Sequence, residues 1–193
     1  MLVVVAVGTY FLFLRSRGAG EIPDAVRATA QTAGCDDLEQ PVVADPSRAH
    51  LGPGEAFDYE DPPAAAGPHD PSPLPSDPHV HASPIPETRA VHNLEHANVL
   101  VYYRDGEGGL APETVRALAS LAGEEDRVIM APYPNLPGDR ALALLAWNTR
   151  WMCPPAITTE QAVEITQAFV DAFRGTTVAP EAPRGILGSV VLG

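Results

Sequence analysis

The stretch VHNLEHANVLVYYR, Val91 to Arg104, changes character half-way along. If residues 87–97 are helical, Ala90, Val91, Leu94 and Ala97 fall in one stripe at 100° per residue, and that stripe faces a core. Pro86 fits the first helical position and Glu87 the first turn. The second half, NVLVYY (Asn98–Tyr103), is an unbroken apolar run of strand length, stopped by the turn residues RDGEGG. A helix that runs straight into a buried strand sets the fold class, and the remaining chain is read outward from it.

Downstream the same alternation continues. APETVRALASLAG places Val115, Leu118, Ala119 and Ala122 on one helical face, with Gly123 as a natural stop. RVIMA (Arg127–Ala131) and ALALLAW (Ala141–Trp147) read as strands on either side of the proline-stiffened loop PYPNLPGD. In TTEQAVEITQAFVDAF, Thr158 and Gln161 have the spacing of a capping box, and Ala162, Ile165, Phe169 and Phe173 line one side. The expected fold is α/β (α+β): a small three-to-four-stranded sheet with two to three helices. Trp147, Trp151, Met130 and Met152 read as core packing.

Upstream lies a long irregular arm. Nine of the 28 residues from Glu60 to Glu87 are proline, which excludes helix interiors and central strands. Composition alone describes a spacer, yet His50, His69, His79 and His81 lie in the arm, and spacers rarely concentrate imidazoles. Asp36, Asp37, Asp58, Glu60 and Asp61 read as solvated charges. The expected organisation is an anchor over 1–14, a linker over 15–34, and a single domain over 35–174. That domain divides into the proline-rich arm (35–86) and the core (87–174), and a loose tail follows over 175–193.

The 14 opening residues, MLVVVAVGTYFLFL, are almost wholly apolar. At about 1.5 Å per residue they cover roughly 21 Å, short of a hydrocarbon layer of about 30 Å. We read them as part of a transmembrane helix that starts upstream; an unusual signal peptide is the alternative. The membrane is therefore an expected partner, in a single-pass arrangement with the domain extracytoplasmic. Arg15 and Arg17 oppose that orientation unless a basic stretch precedes the helix. The net charge of −13 over 193 residues repels phosphate backbones and excludes a nucleic-acid role. No protein partner can be named from the sequence.

Two cysteines, Cys35 and Cys153, flank the domain. Outside the cytoplasm they can close a loop of about 120 residues, worth on the order of 4 kcal/mol. Two unpaired thiols are the other reading.

His92 and His96 stand four apart, about 40° from each other on the helix, with Glu95 at their margin. Such a pair can grip one ion, and any further ligand must come from a segment lying over the helix. The pattern HNLEH also matches H-x-x-E-H of the inverted zinc proteases, with Glu160 or Glu164 as a third ligand. Those enzymes need far larger paired domains, which argues against a peptidase. A hydrogen-bonded surface pair without metal stays open.

DPPAAAGPH (Asp61–His69) followed by VHNLEHANVLVYY (Val91–Tyr103) resembles a bacterial family known only as a domain of unknown function (DUF3105-like). Its members read PPTSGPH, then VHNLEHG and a strand ending in tyrosine. APYPNLPGDRALALLAW is similar to the family's later strand pair, so the resemblance spans roughly residues 35–173. It implies an extracytoplasmic domain and matches His69, His92, Glu95 and His96 to family motifs, with His50 a looser match. It implies no activity. Two departures stand out: AAA in the lead-in to Gly67, and Ala97 where glycine is usual, which resists a left-handed turn.

With the resemblance added, the expected site is a transition-metal centre on His69, His92 and His96, completed by His50, His81 or Glu95. Three imidazoles and an oxygen suit zinc, and copper outside the cytoplasm. A non-enzymatic metal-binding or metal-pinned domain is the leading reading. The alternatives are a metal-dependent hydrolase with Glu95 as general base, and a metal-free structural or partner-binding ectodomain.

Overall fold

The computed structural model describes residues 19–75 and 77–183. Four helices and four strands follow in order: α1 (Asp24–Thr32), α2 (Glu87–Glu95), β1 (Val99–Tyr103), α3 (Pro112–Glu124), β2 (Val128–Pro132), β3 (Leu142–Ala146), β4 (Thr149–Cys153) and α4 (Thr159–Phe173). The strands form one mixed sheet in the order β2-β1-β3-β4. β1 and β2 run parallel through the α3 crossover, whereas β3 is antiparallel to both β1 and β4. The α+β expectation is met.

Strand residues alternate between two cores, as period-two side chains must. Val99, Val101, Val128, Met130, Leu142, Leu144, Trp151 and Cys153 face a cluster with α1, α3 and α4. Leu100, Tyr102, Ile129, Ala131, Ala143, Leu145 and Met152 face α2 and the arm residues Ala64, Ala65 and Leu74. A sheet covered on both faces explains why its strands read as continuous apolar runs. Thr158 and Gln161 do form the capping box that starts α4.

The arm is folded, although no periodicity announces it. It pairs with both outer edges of the sheet: Met130 N donates to His79 O and His81 N to Met130 O at β2. At β4, Asp36 N donates to Met152 O, while Glu39 and Arg150 exchange backbone bonds. Covered edges remove a template for intermolecular strand pairing. Arg150, with a side chain only 4% exposed, reaches the carboxylates of Glu39 and Asp61 at 2.8 and 2.6 Å, and its Nη1 donates to Asp61 O at 3.0 Å. Arg150→Ala should therefore lower unfolding stability by about 2–4 kcal/mol in urea titration. Glu39→Gln should lose less than about 1 kcal/mol, because its carboxylate is half exposed.

Several expectations need correction. Residues 24–32, expected within a linker, form α1, whose Val26 and Ala30 are buried in the first core. The tail is ordered at its start: Gly175 N donates to Ala97 O, and Glu181 N to Glu95 O. β4 is the fourth strand of the three to four expected, though no segment was assigned to it, because an arginine stands at its second position. The membrane partner is overturned, because among the described residues no helix is long and apolar enough to cross a membrane. The longest, α4, has 15 residues and one polar face, giving about 22 Å against about 30 Å needed. The apolar run 1–14 that prompted the expectation lies outside the described residues.

Cys35 and Cys153 form a disulfide across 118 positions, joining the start of the arm to the end of β4.

Ala97 ends α2 with φ 64° and is buried. Left-handed backbone is disfavoured for any residue with a Cβ, and most for β-branched ones. Ala97→Val should cost about 2 kcal/mol or more in thermal unfolding. Ala97→Gly should stay within about 1 kcal/mol, since relief of the strain is offset by the lost buried methyl.

Candidate metal site

Each residue of HNLEH has a separate contact. Leu94 is fully buried in the second core. Asn93 accepts from Leu74 N at 2.8 Å and donates to Leu74 O at 3.1 Å, clasping the arm as a strand neighbour would. His92 Nδ1 lies 2.6 Å from Asp70 O. Glu95 pairs with Arg48 and lies against His69. His96 Nε2 meets His92 Nε2 at 2.9 Å. One turn earlier, Arg89 Nε donates to Ser72 O at 3.0 Å. The polar side of α2 is thus a mould for residues 70–74, and the arm lies directly over it.

The arm brings two more imidazoles. His50 and His69 sit on paired extended segments, where Leu51 N donates to His69 O and His69 N to Ala49 O. Gly67 has φ 126°, a backbone conformation open to glycine, and its carbonyl lies 2.8 Å from His69 Nδ1. Asp70 fixes the next turn, its carboxylate accepting from Ser72 N at 2.8 Å and Gly54 N at 3.0 Å. Those two backbone donors hold its carboxyl below the usual carboxylate range.

The result is a cluster of three histidines whose ligand atoms all lie within 4.8 Å of one another: His50, exposed, with His69 and His92, both buried. His50 stacks on His92 at 5.4 Å between ring centroids and meets His69 edge-on at 5.1 Å. Trp147 also meets His69 edge-on, at 6.1 Å. These three histidines could hold a metal ion. Ligand atoms on a tetrahedral zinc stand about 3.3 Å apart, so the trio is near that separation and would contract onto an ion.

Tautomers sharpen the picture. A carbonyl oxygen only accepts, so Nδ1 of His69 and Nδ1 of His92 must both carry protons. In the neutral rings that arrangement turns both Nε2 atoms into acceptors, the orientation that metal-binding histidines take when a backbone carbonyl fixes the ring; the Nε2 of His92 meets His96, which an ion there would displace. His69 Nε2 is buried without a hydrogen-bond partner among the described residues. Glu95 Oε2 is 3.0 Å away but off the line a hydrogen bond needs.

Of the expected ligands, His69 and His92 are in the cluster, and His96 and Glu95 border it. His50 joins them. His81 does not: its backbone is paired with Met130 at the outer edge of β2. Glu160 and Glu164 are exposed on α4, which packs on the opposite face of the sheet, so the protease ligand set cannot assemble. Two site residues carry no sequence signal. Arg48 bonds Glu95 and, at 2.8 Å, Glu181, and Glu181 Oε2 lies 3.6 Å from His96 Nδ1. Hydrogen bonding to Glu95 raises the Arg48 pKa above its ordinary value.

Fold and site together define an α+β domain whose proline-rich arm carries histidines onto a histidine-bearing helix. The family described as Protein of unknown function (DUF3105) matches residues 50–185, and the chain belongs to it. Comparison with curated proteins and with solved structures gave no match.

Proposed function

We propose that this protein is a non-enzymatic transition-metal-binding domain of an oxidising, extracytoplasmic compartment, with His50, His69 and His92 as the ligands. The bound ion pins the arm to α2, since two ligands come from the arm and one from the helix. His96 and Glu95 are the candidates to complete the set. One observation carries the reading: His69 Nε2 is fully buried and without a hydrogen-bond partner among the described residues, while Gly67 O holds the neutral ring's proton on Nδ1. A buried acceptor left empty is costly, and an ion on that lone pair removes the cost.

Nitrogen and oxygen donors suit zinc, and copper(II) as the second choice. The Cys35–Cys153 disulfide supports an oxidising compartment. The hydrolase reading is weaker, because Arg48 holds Glu95 as an ion pair and a general base needs a carboxylate free to take a proton.

The test is elemental analysis of the full chain after exposure to zinc or copper and removal of excess. About one ion per chain is expected. A chain that stays metal-free with both ions refutes the proposal.

A further inference from the structure

His96 and Glu181 carry an inference that rests on the metal site proposed above and deepens it. Because His92 Nε2 is an acceptor, the 2.9 Å contact requires His96 Nε2 to donate. In the neutral ring the remaining nitrogen of His96, Nδ1, then presents its lone pair outward. Glu181 Oε2 faces it at 3.6 Å, and the two side chains are 38% and 45% exposed. With the ring neutral, two acceptors confront each other at the surface, at nearly the separation of about 3.3 Å that two ligands take on one tetrahedral ion. Arg48 occupies the other oxygen of Glu181 at 2.8 Å, which aims Oε2 at His96. Counting Arg48 with Glu95 and Glu181, this rim carries a net single negative charge.

We propose that His96 Nδ1 and Glu181 Oε2 form an outer docking site where a divalent cation is captured before it passes to the inner histidines. Two exposed donors hold an ion weakly and exchange it fast. Three imidazoles, two of them buried, hold it tightly. His96 joins the two levels, since its ring touches the rim through Nδ1 and the inner His92 through Nε2. An anionic rim raises the local concentration of cations and with it the rate of capture.

The experiment follows cobalt(II) uptake by the metal-stripped full chain in stopped flow, and its release to excess chelator. Glu181→Gln keeps the backbone bond of Glu181 to Glu95 and removes the charge. It is expected to slow uptake and release by the same factor, tenfold or more, because a site on the path governs both directions. Glu60→Gln removes the same charge from an exposed arm position and is expected to leave both rates unchanged. Faster release from Glu181→Gln would make Glu181 a ligand of the inner site and overturn the proposal. Unaltered rates in Glu181→Gln, or equal slowing by Glu60→Gln, would also overturn it. A parent chain that binds no cobalt refutes the inner site as well, so the two failures are distinguishable.

Discussion

Replacing His69 with alanine should weaken zinc binding by about a thousandfold. Four-ligand structural zinc sites bind with about 10–16 kcal/mol, so one ligand is worth about 3–4 kcal/mol, and a thousandfold change is about 4 kcal/mol. His69 should show the full effect because its ring is already oriented. Gly67 O fixes Nδ1, Trp147 packs against the ring, and the residue is fully buried. Little further ordering opposes binding through this residue, whereas the exposed His50 must be ordered. A chelator-competition titration measures the change. His81→Ala is the matched control and should bind zinc within threefold of the parent, since His81 lies at the β2 edge. Equal losses from both variants would mean that the arm as a whole, rather than the cluster, governs binding.

The second large effect concerns the disulfide. Removing it with Cys35→Ser and Cys153→Ala should lower stability by about 4 kcal/mol. The chain-entropy account predicts this for a closed loop of 118 positions. At about 2–4 °C per kcal/mol for a chain of this size, the melting temperature should fall by about 8–16 °C. The loss should concentrate on the arm. The bridge ties residue 35 to the end of β4 next to the backbone pairing of Asp36 and Glu39 with that strand. Without it, the arm must find the sheet edge, the Arg150 pocket and the α2 mould from a far larger ensemble. Calorimetry of the oxidised parent, the reduced parent and the variant checks this; melting temperatures within 3 °C of one another would contradict it.

What could be read from the chain divides along physical lines. Helices α2 and α4 were legible because burial on one face imposes a period of 3.6, which Ala90, Val91 and Leu94 obey, and strand β1 because burial on both faces makes a continuous apolar run. Helix α1 was not, since Val26 and Ala30 give it only two buried apolar positions. β4 was hidden because Arg150 is its second residue, its charge answered by Glu39 and Asp61 far away in sequence. The arm's order is of the same kind. Arg89, Asn93 and Arg150 hold its backbone through side-chain bonds between residues distant in sequence, which leave no local pattern.

The site shows the same limit. His92 and His96 could be paired from their spacing, and the family resemblance joined them to His69. Ala97, in place of the family's glycine, resists a left-handed turn, yet the backbone takes one there, with φ 64°. His50 over His81 could not be decided, because the choice depends on which arm segment pairs with His69 and which with Met130. Arg48 and Glu181 were out of reach. Neither belongs to a motif, and each enters the site through tertiary contact alone.

X-ray absorption at the zinc edge of the loaded full chain tests the central claim most directly. A site on His50, His69 and His92 predicts three imidazole rings around one zinc, with nitrogens at about 2.0–2.1 Å, and one ring fewer in His92→Ala. Zinc surrounded by oxygen alone, or a spectrum that His92→Ala leaves unchanged, would contradict it.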